Sequence, residues 1–229
     1  MTAVATPTPL PTDQPEQVLP QDILDYLIES VPDGDGSDPL RRRFRFPAAQ
    51  VSTTVLHRVR TACFTLVETI AFSSFDILLN HTSKTHEQIA LELAHIVLKE
   101  PVGGLGDMKR ANFQLTVEGP RTVLAKDLVP MESAEGDGPS SRVTVAHPYA
   151  PIMVLVEGEK LSVIAKASTN LGRVHSRHFP VTVVRVPKRT DPDVIELVIE
   201  SRGGLTPAEI LQRAVDRVAE LEELEELEE

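Results

Sequence analysis

Residues 51–98 read VSTTVLHRVRTACFTLVETIAFSSFDILLNHTSKTHEQIALELAHIVL, and this stretch decides the fold. In its first third, Val51, Val55, Val59, Ala62 and Leu66 recur at steps of four, four, three and four. That spacing predicts a helix with one apolar face, from which Thr53, His57, Arg60 and Thr61 turn away. In the run after it, Ile70 alternates with Phe72, and then Phe75, Ile77 and Leu79 alternate one position out of phase. A strand with a slip between Ser74 and Phe75 is expected there, either bulged or covered on both faces. Thr85 and Gln88 stand at capping-box spacing, so a second helix should open at Thr85. It would carry Ile89, Leu93, Ile96 and Val97 inward and stop before Pro101.

Composition narrows the functional classes. At 229 residues the chain can bury a sizeable core in one or two domains. Its 41% apolar and 25% charged content is that of a soluble globular protein. A net charge of −11 argues against broad nucleic-acid binding, which needs basic stripes to neutralise phosphates. One cysteine, Cys63, excludes an internal disulfide or a cysteine-rich metal site, and on the first helix it reads as a small buried hydrophobe. No apolar run approaches the roughly 18 residues of a membrane span, and the first residues lack a secretory pattern. The expectation is an intracellular protein with no membrane contact, in which the sequon at Asn80 goes unused.

Working outward, residues 1–38 read as a flexible extension rich in Pro, Thr and Gln, carrying one short amphipathic helix over Gln21–Val31. That helix either packs on its own domain or docks a partner. RRRFRF, Arg41 to Phe46, suits an edge strand with Phe44 and Phe46 inward, although a basic run can also serve nuclear import or phosphate contact. Gly103, Gly104 and Gly106 form a loop without the Gly-Lys-Ser/Thr of a phosphate cradle. Phe113, Leu115 and Val117 alternate as a half-buried strand, and Met131 to Ser141 is a polar loop. Short strands are expected at Arg142–Ala146, Ile152–Val156, Leu161–Ala167, Val181–Val186 and Val194–Glu200. Thr206, Pro207 and Glu209 open a last helix whose stripe is Leu211, Ala214, Val215, Val218 and Leu221, with Gln212, Arg213, Asp216 and Arg217 outside. The closing Leu-Glu-Glu repeats, Leu221 to Glu229, read as a fraying, solubilising tail.

Taken together, these phrases resemble the assembly subunit of multisubunit RNA polymerases. The relatives are the archaeal D subunit, the third-largest-type subunit of the nuclear enzymes and the N-terminal domain of bacterial alpha. Asn80, Thr82, Ser83, Glu87, Ile89, Ala90, Leu93, Ile96 and Leu98 keep the family's turn-and-helix order. Val117, Gly119, Pro120, Val123, Ala125, Asp127 and Leu128 match its hairpin. Pro148, Pro151, Ile152, Leu155, Gly158, Leu161 and Ala165 continue it. Gly172, His175, Ser176, Arg177 and Pro180 hold its loop signature, and Leu205 to Ile210 its last-helix phrase. The first helix departs, since the family's Asn-Ala-Leu-Arg-Arg is replaced around Thr53 to Arg58.

The resemblance implies an α+β fold, with a discontinuous alpha-like dimerisation domain over 39–68 and 172–229 and an inserted mostly β domain over 69–171. It implies a non-catalytic assembly platform that pairs with a small L-type (eleventh-subunit-like) subunit and nucleates the largest and second-largest subunits. The implied seam is the pair of apolar stripes: Val51, Val55, Val59, Ala62 and Leu66 on the first helix, Leu211, Ala214, Val215 and Val218 on the last. Arg58, Gly172, His175, Arg177 and Pro180 are the implied large-subunit contacts. No cofactor, metal or direct sequence-specific nucleic-acid contact is expected. The implied setting is the nucleus or cytoplasm, or the virion if the chain comes from a large DNA virus. Two other readings stay open: a dimeric scaffold outside transcription, and a small metal-dependent hydrolase built on His147, His175 and His178.

Overall fold

The computed structural model describes residues 20–34, 36, 38–101, 110–131 and 143–228. The expected flexible stretch over 1–19, the glycine loop at 103–106 and most of the polar loop at 131–141 lie outside the described residues. Among the described residues the order is β1 Glu29–Pro32, β2 Arg41–Pro47, α1 Thr53–Thr65, β3 Glu68–Asn80, α2 His86–Ala94 and β4 Leu98–Lys99. There follow β5 Arg110–Glu118, β6 Arg121–Leu124, β7 Val129–Pro130, β8 Thr144–Val145, β9 Pro151–Leu155 and β10 Lys160–Leu171. The chain closes with β11 Val181–Arg185, β12 Val194–Ser201 and α3 Pro207–Glu228. The fold is α+β: a helix-and-sheet domain made from both ends of the chain, with a mostly β domain inserted.

The buried residues form two clusters that mark this division. The first gathers residues from Ile23 to Val67 and again from Val181 to Val218. The second runs from Ile70 to Ala167 without a break into the first. In the first, α1 and α3 lie on one face of an antiparallel sheet ordered β1-β2-β12-β11. Phe44, Phe46, Ile195, Leu197 and Ile199 point into that face, each under 3% exposed. Alternation fixes this arrangement, because strand side chains change face at every residue. A fully buried Phe or Leu contributes about 1.5–3 kcal/mol, so the sheet and two helices hold each other.

β2 is not the expected edge strand. It lies between β1 and β12, because residues after the 3-10 helix Pro20–Tyr26 add a strand outside it. The expected helix over Gln21–Val31 is therefore only that 3-10 segment. Ile23 enters the first cluster, with Leu24 and Leu27 packed against it, and Ile28 stays exposed. Arg41, Arg43 and Arg45 of β2 alternate with the buried phenylalanines and occupy the outer face of the sheet. Asp33 accepts hydrogen bonds from Arg43 and Arg185 (3.4 Å) and is ion-paired with Arg41 (2.6 Å). Burial alone would raise Asp33, but the Arg43 and Arg41 guanidiniums outweigh it and hold the carboxyl below the usual carboxylate range. These bonds clip β1 onto the sheet.

In the inserted domain the sheet order is β3-β10-β5-β7, with β6–β9 and β4–β8 as two-stranded ribbons. The expected slip in β3 is a bulge, and it lies just before Ser74 rather than after it. Lys166 faces Ser74 and Ala167 faces Phe72, which leaves Ser73 as the extra residue, and a second irregularity leaves out Leu78. The slip puts Ile70 and Phe72 in the core on one side of it and Phe75 and Ile77 against the core on the other. The Thr85–Gln88 capping box forms in both directions. α2 ends at Ala94, earlier than expected, because the chain must turn there to pair Leu98 with Val145. Gly158, at φ +83°, makes the tight turn between β9 and β10.

Candidate partner-binding surface

α1 begins at Ser52, whose side chain accepts from the Val55 amide, and α3 begins at a complete Thr206–Glu209 capping box. Between the two helices runs an open groove of about 440 Å³. Its α1 wall is Thr54, His57, Arg58, Thr61 and Thr65, and its floor is Ala62, Leu66, Val218 and Leu221. The Thr61 hydroxyl donates to the His57 carbonyl (3.0 Å) and the Thr65 hydroxyl to the Thr61 carbonyl (2.8 Å). Both hydroxyls are thus satisfied within the helix, and the groove is less polar than its residue names suggest.

The implied seam residues divide here. Ala62, Leu66 and Val218 reach the groove. Val51, Val55, Val59, Leu211, Ala214 and Val215 are at most 6% exposed and belong to the chain's own core. Their stripes are the faces with which the helices sit on their sheet, and that sheet together with Ile23 covers them. The accessible flank is the one the periodicity assigned to solvent. Its only sequence signal is the recurrence of Thr54, Arg58, Thr61 and Thr65 at helical spacing, which reads as an ordinary polar face.

The signature loop 172–180 is anchored more tightly than its polar letters suggest. A Cβ on Gly172 would stand 1.9 Å from the Phe64 carbonyl oxygen, so only glycine allows β10 to end against α1. Arg177 donates through Nη1 to the carbonyls of Phe72 (2.8 Å) and Ser73 (3.2 Å), tying the loop to the β3 bulge. His175 Nδ1 accepts from the Arg177 amide and Nε (3.1 and 3.2 Å). Gly172 and Pro180 are buried, whereas Arg173, Val174, His175 and Ser176 face outward. Of the implied large-subunit contacts, only His175 is fully exposed on this loop. Arg58 stands in the groove instead.

Where the two domains meet, Thr69 and His178 bond reciprocally. The Thr69 hydroxyl donates to the His178 carbonyl (2.8 Å) and His178 Nδ1–H to the Thr69 carbonyl (3.1 Å). Burial holds the His178 imidazole below its usual pKa, helped by the neighbouring Arg177, so it stays neutral. Nearby, Glu100 is 3% exposed at its side chain and pairs with Arg213 of α3 (2.9 Å). Arg213 is therefore not a surface residue of the outer stripe. The second Glu100 oxygen has no hydrogen-bond partner and lines a cleft of about 20 Å³, a water's room. His147, His175 and His178 do not converge: His147 Nε2 is bound to the Arg202 carbonyl (2.8 Å) and the others as above. Among the described residues no group of three or more His, Cys, Asp or Glu could hold a metal ion, so the hydrolase reading has no constellation to stand on.

No protein-family model matches the chain. Curated relatives do, all of them archaeal proteins named DNA-directed RNA polymerase subunit Rpo3. The one from Methanocaldococcus jannaschii is 29% identical over 157 residues, covering 69% of this chain and 75% of the relative. That from Methanobrevibacter smithii is 27% identical over 139 residues, 56% of this chain and 48% of the relative. That from Thermococcus kodakarensis is 29% identical over 174 residues, 69% of this chain and 64% of the relative. The chain is similar to these Rpo3 polymerase subunits at 27–29% identity, over 56–69% of its own length. The match spans about half of the Methanobrevibacter protein and under two thirds of the Thermococcus one. No helix among the described residues is long and apolar enough to cross a membrane.

Proposed function

We propose that this chain is a non-catalytic subunit of an intracellular DNA-directed RNA polymerase. In this reading it seats a small L-type subunit in the α1/α3 groove and then recruits the second-largest and largest subunits. The observation that carries the reading is the groove itself. Two helices, fully supported from below by their own sheet, leave a long apolar-floored trough between them in a chain whose relatives are named polymerase subunits. A partner helix laid there meets Ala62, Leu66, Val218 and Leu221, which suits helix-in-groove recognition. The outward edge of the 172–180 loop, Arg173 to Ser176, offers the large subunits a rigid contact held by Arg177.

The test is purification of the tagged chain from its native cells at high salt, followed by an assay of templated nucleotide incorporation. RNA synthesis should co-elute with the tag, together with the two large subunits and one small one. A chain that elutes without that activity would place it outside transcription. In the same experiment Leu66→Asp, at the groove floor, should release the small subunit while the tagged chain remains soluble.

A further inference from the structure

We propose that the seam between the two domains, along the 172–180 loop and into the cleft behind it, is a docking site for an acidic segment of a partner protein. This rests on the reading of that loop as a contact for the large subunits and names the chemistry the contact takes. Elsewhere on the chain Arg43, Arg45, Arg121, Arg185 and Arg213 each pair with a carboxylate. At the seam, Arg173, Arg177 and Arg202 have no such partner among the described residues. Arg177 bonds to the Phe72 and Ser73 carbonyls and to His175, and Arg202 Nη1 to the carbonyls of Arg177 (3.3 Å) and Phe179 (3.4 Å). Carbonyls fix the geometry of these guanidiniums but cancel no charge. Arg202 is half-buried, and burial lowers its pKa with no anion to offset the effect.

A second observation comes from the cleft. Arg177 and Arg202 line it together with Glu100, whose side chain is 3% exposed and whose Oε1 has no hydrogen-bond partner. The Glu100 charge is already matched by Arg213, so the two cleft arginines stay uncompensated. Glu68, opposite Leu171 in register, makes no ion pair with them. The site therefore calls for an anion at the arginines and a hydrogen-bond donor at the orphan oxygen. A peptide segment with Asp or Glu supplies both: its carboxylate meets the guanidiniums, and its backbone N–H reaches Glu100 directly or through one water. A phosphodiester carries acceptors only, so nucleic acid would leave Glu100 unmet. A metal cation would face the two arginines. Val174, 61% exposed between Arg173 and His175, gives an apolar residue of the segment a place beside the charges. Gly172 against α1 and Arg177 against β3 hold the loop in position beforehand, so little freedom is lost when the segment docks.

The experiment uses the full tagged chain in its assembled complex, with Arg173→Lys as the reporter. A carbodiimide joins an amine to a carboxylate, with loss of water, where the two already touch. In complex that co-elutes with RNA synthesis, treatment should join the introduced amine to an Asp or Glu of another chain, read by mass spectrometry of the adduct. Arg189→Lys, exposed on the β11–β12 connection, is the control and should give much less. Arg173→Glu, on an exposed side chain, should keep the wild-type circular dichroism. It should lower by at least about a third the salt concentration that washes the captured large subunit from the tag, with the small subunit retained. Adducts confined to this chain's own acids, equal yield from Arg189→Lys, or a washing midpoint equal to wild type would overturn the inference. So would a short single-stranded oligonucleotide that binds the wild-type chain and not Arg173→Glu, which would give the seam to nucleic acid. If neither RNA synthesis nor the large subunits co-elute with the tag, the polymerase reading fails first and the inference falls with it, an outcome distinct from loss of the adduct in an active complex.

Discussion

Arg213 projects from the polar side of α3, yet its guanidinium holds the Glu100 carboxylate at 2.9 Å and also reaches the Glu68 carbonyl. Removing it leaves a buried anion without its counter-ion. Breaking a buried pair in this way costs about 3–5 kcal/mol, and since Arg213 is one-third exposed we expect about 2–3 kcal/mol for Arg213→Ala in urea unfolding. Adding Glu100→Gln should restore most of it, and a single variant within about 0.5 kcal/mol of wild type would refute the role. Burial raises Glu100 above its ordinary 4.5, against the pull of Arg213. The folded state then binds that proton more tightly than the unfolded one, so this contribution is full below 4.5 and is lost as pH rises through the folded value. His178 runs the other way. Its ring is held below 6.5, so its contribution is full above 6.5 and is lost as pH falls through the folded value. Urea midpoints measured from about pH 7.5 to 5.5 should fall for wild type and flatten for His178→Gln. An unchanged slope in the variant would assign the acid sensitivity elsewhere.

At the level of elements, α1 has two faces with two jobs, and they can be separated by substitution. Val59 is fully buried against the sheet and α3. An unpaired carboxylate there costs several kcal/mol, comparable with the whole stability of a domain, so Val59→Asp should lose its helical circular dichroism and its solubility. Leu66→Asp, on the flank, should keep a wild-type spectrum and melt. Equal behaviour of the two would mean that the faces have been assigned wrongly. The start of α2 offers a smaller effect. Thr85→Ala removes the Thr85 side of a capping box that satisfies two amides and should cost about 1 kcal/mol, read as a lower urea midpoint. A midpoint equal to wild type would show that tertiary packing alone holds that end.

The whole molecule carries −11, and the strongest local concentration of positive charge, the arginines of β2, is neutralised on its own sheet. Arg41, Arg43 and Arg45 face Asp33, Glu29, Glu196 and Glu200, so no unpaired basic stripe remains there for phosphates. The isolated chain should therefore leave a DNA duplex unshifted on a native gel at about 50 mM salt, where phosphate contacts are strongest. A shift at that salt, lost by about 200 mM, would show a phosphate-binding surface that the charge balance hides.

Local patterns were legible wherever one residue's neighbours in sequence are also its neighbours in space. The two capping boxes, the slip in β3 and the alternation of β5 depend on offsets of two to four residues, and each is found, the slip at Ser73 rather than between Ser74 and Phe75. The split of the chain into a discontinuous α+β domain and an insert was legible through the family resemblance. What the sequence alone could not show is which apolar stripe stays free. A stripe that covers a helix's own sheet and a stripe that waits for a partner have the same period, and only the placement of the sheet assigns Val55 to the core and Leu66 to the groove. For the same reason β2 read as an edge, because the strand that covers it comes from the separate segment Glu29–Pro32. The Glu100–Arg213 pair was invisible too, since 113 residues separate partners that only the packing of one domain on the other brings within 3 Å.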